Sequence, residues 1–452
     1  MAGTCRTRSG CPRSHPASRN GAATTSLGNL CQCLTTLIVK KFLLMSSLSL
    51  PYRSFRCHPG SCCSRCYTAV EQKMPLVLTG SQQWLALGRF PMGSAMLSDN
   101  NSVKQKSDCS PPVQWFKVPA HEDEKTKLVF KRYSQRAQQY ASAVLQEQCR
   151  PSYVKKQMKK LFAEKYSMDI SPFVRKNVNE DEALFKYEPP FGFHNFLDKL
   201  KNLLELLPEH DLPEDLKSKH CKHCVVVGSG GILHGSELGH LLNQFDIVIR
   251  LNDAPVQGHT DHVGNKTTIR MTYPEGAPLS EHEYPPASLF VAVLFKSVDF
   301  NWLQAMVKNE TLPLWVRLFF WKEVAEKIPF TSKQFRILNP VIIKETALDI
   351  LQFPEPRSKF WGWDKNVPTI GVTAVVLATH LCDEVSLAGF GYDLDHPNAP
   401  LHYYNNLCMA AMNEQTMHNV TSETKFLQKL IKEKVVKDLT GGIHCEFCSK
   451  DS

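Results

Sequence analysis

The run CVVVGSGGILHG (residues 224–235) sets the tightest limit on what this chain can fold into. Cys224 to Val227 are apolar and mostly β-branched, as in a strand buried on both faces, and they run straight into Gly228, Gly230 and Gly231. A strand that stops on clustered glycines is a tight turn at a sheet edge. Such glycines let backbone N–H groups approach a phosphate, and a helix opening after the turn would add its dipole. The spacing is GxGGxxxG rather than the dinucleotide GxGxxG, so the turn alone fits a ligand-free strand–helix corner equally well. The same rhythm continues downstream. Apolar runs recur at residues 246–251, 267–271, 289–295 and 384–387, separated by helical patterns such as GVTAVVLATHL (371–381). Continuous apolar strands divided by helices predict an α/β fold, with a mostly parallel, doubly wound, Rossmann-like sheet and flanking helices.

The chain before this point has another character. Residues 1–110 are rich in Ser, Arg, Cys and Gly, and read as an irregular, processed or variably spliced region. Their best apolar run, LTTLIVKKFLLMSSLSL (34–50), is broken by Lys40 and Lys41. A spanning helix wants about 20 apolar residues and a central lysine costs about 3 kcal/mol, so this is a poor anchor. Residues 111–147 read as a stem or linker, 148–447 as a single globular domain and 448–452 as a tail. A basic helical pattern over 133–165 is broken by Pro151, and FLDKLKNLLELL predicts a helix over 196–207.

Of the 16 cysteines, seven lie beyond residue 110: Cys149, Cys221, Cys224, Cys382, Cys408, Cys445 and Cys448. With N-x-S/T acceptors at Asn100, Asn265, Asn309 and Asn419, they favour an oxidising secretory compartment. The formal charge of +9 is a mild excess that keeps a protein soluble as readily as it meets an anionic partner, and it does not call for nucleic acid.

Three further blocks carry chemistry. FDIVIRLNDAP (245–255) places Arg250 and Asn252 at the carboxyl end of a strand, where open α/β sheets bind ligands. Asn252 both donates and accepts and suits a base or ribose; it also suits a loop cap. In residues 367–393, Thr369 and Gly371 open a helix and Gly389 and Gly391 close the next strand, while His380, on the apolar helix, reads as a packed core histidine. Lastly, His402-Tyr403-Tyr404 and His418 with Glu423 supply two histidines near the end of the domain, suited to acid–base work near neutral pH.

In their order, these blocks resemble the animal sialyltransferase family. Cys221-x-x-Cys224 with VVVGSGG through Thr268 resembles its large motif, and Pro368-Thr369-Ile370-Gly371 through Gly391 its small motif. His402-Tyr403-Tyr404 resembles the third motif, and His418 with Glu423 the last. The likeness covers roughly 148–447. It implies a variant, GT-A-like nucleotide-binding fold and inverting transfer of sialic acid without metal or cofactor. The implied donor is CMP-sialic acid and the acceptor hydroxyl belongs to a terminal galactose. The wording between the motifs implies the glycolipid lactosylceramide as acceptor and a Golgi membrane setting with a lumenal domain. By correspondence His418 is the general base and His402 meets the leaving phosphate. Ser229, Gly230, Asn252, Thr369, Gly371, Gly391 and His402 hold the donor nucleotide. Cys224 and Cys382 are the implied disulfide, and Cys149 is the natural partner for Cys221 if that thiol is also bridged. Asn265, Asn309 and Asn419 are candidate glycosylation sites. The glycine turn departs from the family: where relatives carry Gly-Asn-Ser-Gly, this chain has Gly228-Ser229-Gly230-Gly231.

Some readings compete with these. Asp393-Leu394-Asp395 spells D-x-D, which holds a divalent cation in many other glycosyltransferases. Cys221-x-x-Cys224 with Cys445-x-x-Cys448 has the spacing of a four-thiolate zinc site. In LPLWVRLFFWKEVAEKI (312–328), Leu314, Leu318, Trp321, Ala325 and Ile328 share one helical face, widened by Trp315, Phe319 and Phe320. A helix buried on two sides is the favoured reading there, and a membrane-facing patch the sharper one. A nucleotide-dependent oxidoreductase and a non-catalytic carbohydrate-binding relative are the rival functions.

Overall fold

A computed structural model describes residues 124–176, 182–355, 366–393, 395–414 and 417–448. Among them, seven strands make one sheet, and each strand pairs in parallel with its neighbours. They are β1 His223–Val227, β2 Ile247–Leu251, β3 Ile269–Thr272, β4 Leu289–Ala292, β5 Phe335–Ile337, β6 Glu384–Ala388 and β7 Lys437–Asp438. The apolar runs became strands where expected, within a few residues. β5 and β7 have no counterpart in the sequence reading, because strands of three and two residues carry too few side chains to show a period.

The spatial order is β5-β4-β3-β2-β1-β6-β7. The chain therefore walks outward from β1 to β5 and then returns to place β6 against the other side of β1. That reversal opens a crevice beyond the carboxyl ends of β1 and β6, the place where doubly wound sheets bind their ligands.

The longer helices are α1 Glu124–Gln146, α2 Tyr153–Phe162, α3 Leu197–Leu206, α4 Ser297–Lys308, α5 Ile370–Leu381 and α6 Val420–Lys432. Side chains of a strand alternate between faces. Cys224, Val226, Ile247 and Ile249 accordingly join a core with α2, α5 and α6. Val225, Val227 and Val248 face the other way, into a core closed by Ala137, Ala141 and Val144 of α1. A further cluster gathers α3, α4, Phe290 and Phe335. Helix α5 is apolar on every side and every residue from Val372 to Leu381 is buried. Full burial is worth about 1.5–3 kcal/mol for each large aliphatic side chain, so α5 anchors the sheet from one face. His380 is buried there as a core residue: its Nε2 lies 2.8 Å from Glu345 Oε2 and its ring stacks on Tyr166.

Disulfides join Cys224 to Cys382, with Cα atoms 6.1 Å apart, and Cys149 to Cys221, 6.0 Å apart. The first is the pairing the resemblance implied, and the second is the one expected if Cys221 was bridged as well. Cys445 is joined to Cys448. All four thiols of the alternative zinc site are thus committed to disulfides, and that alternative falls.

The segment 312–328 corrects another expectation. Its helix is a single turn, Leu314–Arg317, after Pro313. Val316, Phe320, Val324, Ala325 and Ile328 fill the cluster beside α4, and Trp302 of α4 donates its indole N–H to Ala325 O at 2.8 Å. With that cluster full, Leu314, Trp315, Leu318 and Trp321 stay exposed. Among the described residues, no helix is long and apolar enough to cross a membrane; residues 34–50 lie outside them.

Candidate active site

The crevice is assembled from three strand ends and two later segments. At the end of β1, the N–H groups of Gly228 and Gly230 donate to Ala388 O and Gly389 O, at 2.8 and 2.9 Å. Gly231 N–H donates to Leu401 O, and Tyr403 N–H to Ser229 O, both at 3.1 Å. The turn is thereby sewn to the end of β6 on one side and to the His402 segment on the other. A Cβ on Gly228 or Gly230 would sit 2.5 or 2.6 Å from Gly389 O, and one on Gly231 2.4 Å from Pro400 O. Glycine is required here for three backbones to meet. The expected phosphate cradle is corrected in part, since these three N–H groups are already satisfied. The expected helix after the turn is also replaced, by a 3₁₀ turn over Gly231–Leu233. Ser229 keeps a partly exposed side chain at the crevice.

At the end of β2, Asn252 sits in the left-handed region, φ 48°, and its Oδ1 accepts from the Thr272 hydroxyl at 3.2 Å. That bond leaves its NH₂ as the donor end. Arg250, expected beside it, is buried instead. It donates Nη2 to Val263 O at 2.7 Å and Nε to Thr267 Oγ1 at 3.1 Å, and burial pulls its pKa down to about 10. It braces the loop below the crevice. The loop after Asn252 has a clamp that no sequence signal announced. Buried Glu283 accepts from Val256 N, Gln257 N and Arg270 Nη2, at 2.9, 3.2 and 2.7 Å. Arg270 Nη1 in turn donates to Asn252 O and Ala254 O.

At the start of α5, Thr369 is the N-cap and its hydroxyl accepts from Val372 N. Gly371 lies against Phe390 and Leu251, so the helix opens over the ends of β6 and β2. The first N–H groups of a helix have no partner within it. Glu423, at the start of α6, fixes this opening: its carboxylate accepts from Thr369 N at 2.8 Å and from Thr369 Oγ1 at 2.5 Å. Burial pushes its pKa up to about 7, against the pull of those two bonds. His418 holds the same stretch, with Nδ1 2.8 Å from Val367 O. A carbonyl only accepts, so Nδ1 carries the proton and Nε2 is the basic nitrogen. Burial lowers the pKa of His418 below the ordinary histidine value. Both residues of the last motif therefore grip the segment that opens α5.

His402 lies beside Gly230 through an isolated antiparallel bridge, with its ring stacked on Tyr404. The Asn405 amide contacts its Nδ1, and burial lowers its pKa. Tyr403 donates its hydroxyl to Pro255 O at 2.6 Å, tying the third motif to the loop after β2. Gly391, at φ 114°, packs on Gly442. With Gly231, Tyr392, Asp393, Pro400 and Met409 it lines a cavity of about 190 Å³ at the switch point. Asp393 of the D-x-D accepts a 2.7 Å hydrogen bond from His396. Asn265, Asn309 and Asn419 are all exposed, and Asn419 also caps α6; Asn100 lies outside the described residues.

The model of glycosyltransferase family 29, the sialyltransferases, matches residues 173–435. The chain belongs to that family. The match runs from before β1 to the end of α6, so it takes in every strand end of the crevice. This sialyltransferase is 61% identical over 401 residues to the lactosylceramide α-2,3-sialyltransferase of Bos taurus, covering 80% of this chain and 96% of that protein. It is 62% identical over 395 residues to the Homo sapiens protein of that name, covering 79% of this chain and 94% of the other. A CMP-N-acetylneuraminate-β-1,4-galactoside α-2,3-sialyltransferase of Mus musculus is 41% identical over 295 residues, covering 65% of this chain and 78% of the other. The chain is an enzyme, a glycosyltransferase that transfers sialic acid. The oxidoreductase rival falls with this assignment.

Proposed function

We propose that this sialyltransferase transfers sialic acid from CMP-sialic acid to the 3-hydroxyl of the terminal galactose of lactosylceramide, with inversion and without a metal or cofactor. His418 is the base. It takes the galactose hydroxyl proton on Nε2 while that oxygen bonds to the anomeric carbon of the donor. The bond from that carbon to the phosphate oxygen breaks, its electron pair leaves with the phosphate, and CMP departs. The growing phosphate charge needs fixed donors. The opening N–H groups of α5 at Ile370 and Gly371 and the imidazole of His402 are the candidates. Ser229 and the Asn252 amide hold the nucleotide, with Gly230, Thr369 and Gly391 shaping its bed.

The observation that carries this mechanism is the hydrogen bond from His418 Nδ1 to Val367 O, two residues before the N-cap of α5, which makes Nε2 the basic nitrogen. Two observations support the acceptor and linkage: high identity to proteins named for lactosylceramide and α-2,3 transfer, and lower identity to one named for a β-1,4-galactoside. The disulfides support a secretory setting, with the domain on the lumenal side of a Golgi membrane. Residues 148–447 are the catalytic domain of this reading. The test is incubation of the full chain with CMP-sialic acid and, in parallel, lactosylceramide, a soluble lactoside and a desialylated glycoprotein. Product linkage and anomeric configuration are then read by NMR. An α-2,3 product formed fastest on lactosylceramide supports the proposal. Preference for the glycoprotein transfers the acceptor reading to protein glycans, and donor binding without turnover makes the chain a non-catalytic relative.

A further inference from the structure

Leu314, Trp315, Leu318, Phe319 and Trp321 expose 75, 59, 62, 39 and 48% of their surface, although all belong to one eight-residue stretch. Their neighbours Val316 and Phe320 are buried in the cluster beside α4 and root the strip, so it is held outward. Trp315 and Phe319 meet edge to face, ring centroids 6.4 Å apart. The strip adjoins the site: Lys322 Nζ lies 2.8 Å from Asp253, the residue after Asn252.

We infer that this strip docks on a lipid bilayer and holds the crevice at the surface of the membrane that carries the acceptor, an inference that rests on the glycolipid reading above. Size argues against a protein partner. A stable protein interface takes about 20–30 residues a side, whereas five side chains from one short segment are far fewer. Composition argues for the bilayer. Trp and Phe lodge at the headgroup boundary, with their rings among the acyl chains. Charge argues the same way. Arg317 pairs with Glu326, Lys322 with Asp253 and Lys327 with Glu281. The strip therefore presents amphipathic side chains with their charges already matched, which suits a lipid surface better than an acidic protein. A sugar on ceramide stands close to the headgroups, and a docked strip whose next residue, Lys322, pairs with Asp253 beside Asn252 brings the crevice to it.

The test uses the full chain with phosphatidylcholine vesicles whose acyl chains are brominated. Wild-type tryptophan emission is quenched, and much of that quenching disappears in Trp315→Phe/Trp321→Phe. A second variant, Leu314→Gln/Trp315→Gln/Leu318→Gln, loses about tenfold or more in transfer to lactosylceramide in vesicles, with transfer to a soluble lactoside unchanged within about twofold. Equal quenching of wild type and the Phe variant overturns the docking surface, as does equal loss on both acceptors or no loss on either. If the quenching difference stands but wild type itself ignores vesicle lactosylceramide while using the lactoside, the membrane contact survives and the acceptor reading falls.

Discussion

The bond between His418 and Val367 decides which nitrogen of the ring is basic, and a substitution can separate that positioning from the chemistry. His418→Asn can still donate an amide N–H to Val367 O but offers no base. Transfer is expected to fall about 10²–10⁴-fold in both His418→Asn and His418→Ala, with CMP binding by calorimetry nearly unchanged. Residual activity within about threefold of wild type would remove His418 from the base role. Because burial lowers its pKa, His418 stays neutral below the ordinary histidine range. The acid limb of the kcat profile therefore lies at lower pH than a free imidazole would give. Glu423 titrates in the opposite sense. Its pKa rises from the ordinary 4.5 to about 7 in the fold. Its stabilising protonation is fully present below 4.5 and is lost as pH rises through about 7. Urea denaturation of wild type is expected to show stability declining over that window, and Glu423→Gln to flatten the decline. An unchanged slope in the variant would assign the pH dependence elsewhere. Glu423→Ala, which strands the two Thr369 donors, is expected to cost about 1–3 kcal/mol.

Between elements, the loop after β2 depends on a clamp from outside it. Glu283 and Arg270 are paired at 2.7 Å with side chains 7% and 1% exposed, and between them they hold four backbone groups of residues 252–257. Removing one partner of a buried pair costs about 3–5 kcal/mol. Glu283→Ala is therefore expected to lower stability by that amount and to raise KM for the donor, since Asn252 loses its support. A donor KM equal to wild type would detach this loop from nucleotide binding. The disulfide between Cys224 and Cys382 works at the same scale, joining the middle of the sheet to the end of α5 across 158 residues. Closing so long a loop is worth about 5 kcal/mol in the chain-entropy model. Cys224→Ser/Cys382→Ser should lose about that much in urea denaturation, and non-reducing peptide maps of wild type should contain the linked pair. Recovery of both as alkylatable thiols in active enzyme would overturn the bridge.

Across the whole molecule, the inner strands, α5 and the residues beyond their ends were legible because buried parallel strands leave unbroken β-branched runs and turns between them leave glycines. What was not legible depended on which surfaces meet. β5 and β7 are too short for a period. Glu283 and Arg270 stand 13 residues apart in a turn and a strand, a spacing that marks no motif. The periodicity of 312–328 counted apolar residues without showing that the cluster beside α4 had room for only some of them. The glycine turn was found, but its glycines serve contact between backbones. The same dependence on partners bears on the D-x-D, which the sequence left open. Asp393 faces His396, three residues on, through a 2.7 Å bond. A carboxylate engaged by an imidazole N–H has given up part of its capacity for a cation. In the mechanism proposed above, the phosphate charge is met instead by the opening N–H groups of α5 and by His402. Transfer is therefore expected to persist at full rate in excess EDTA, and Asp395→Asn, at an exposed carboxylate, is expected to leave it within about twofold. If chelation stops transfer and a divalent cation restores it, Asp393 and Asp395 become the cation site and His402 loses its role at the phosphate.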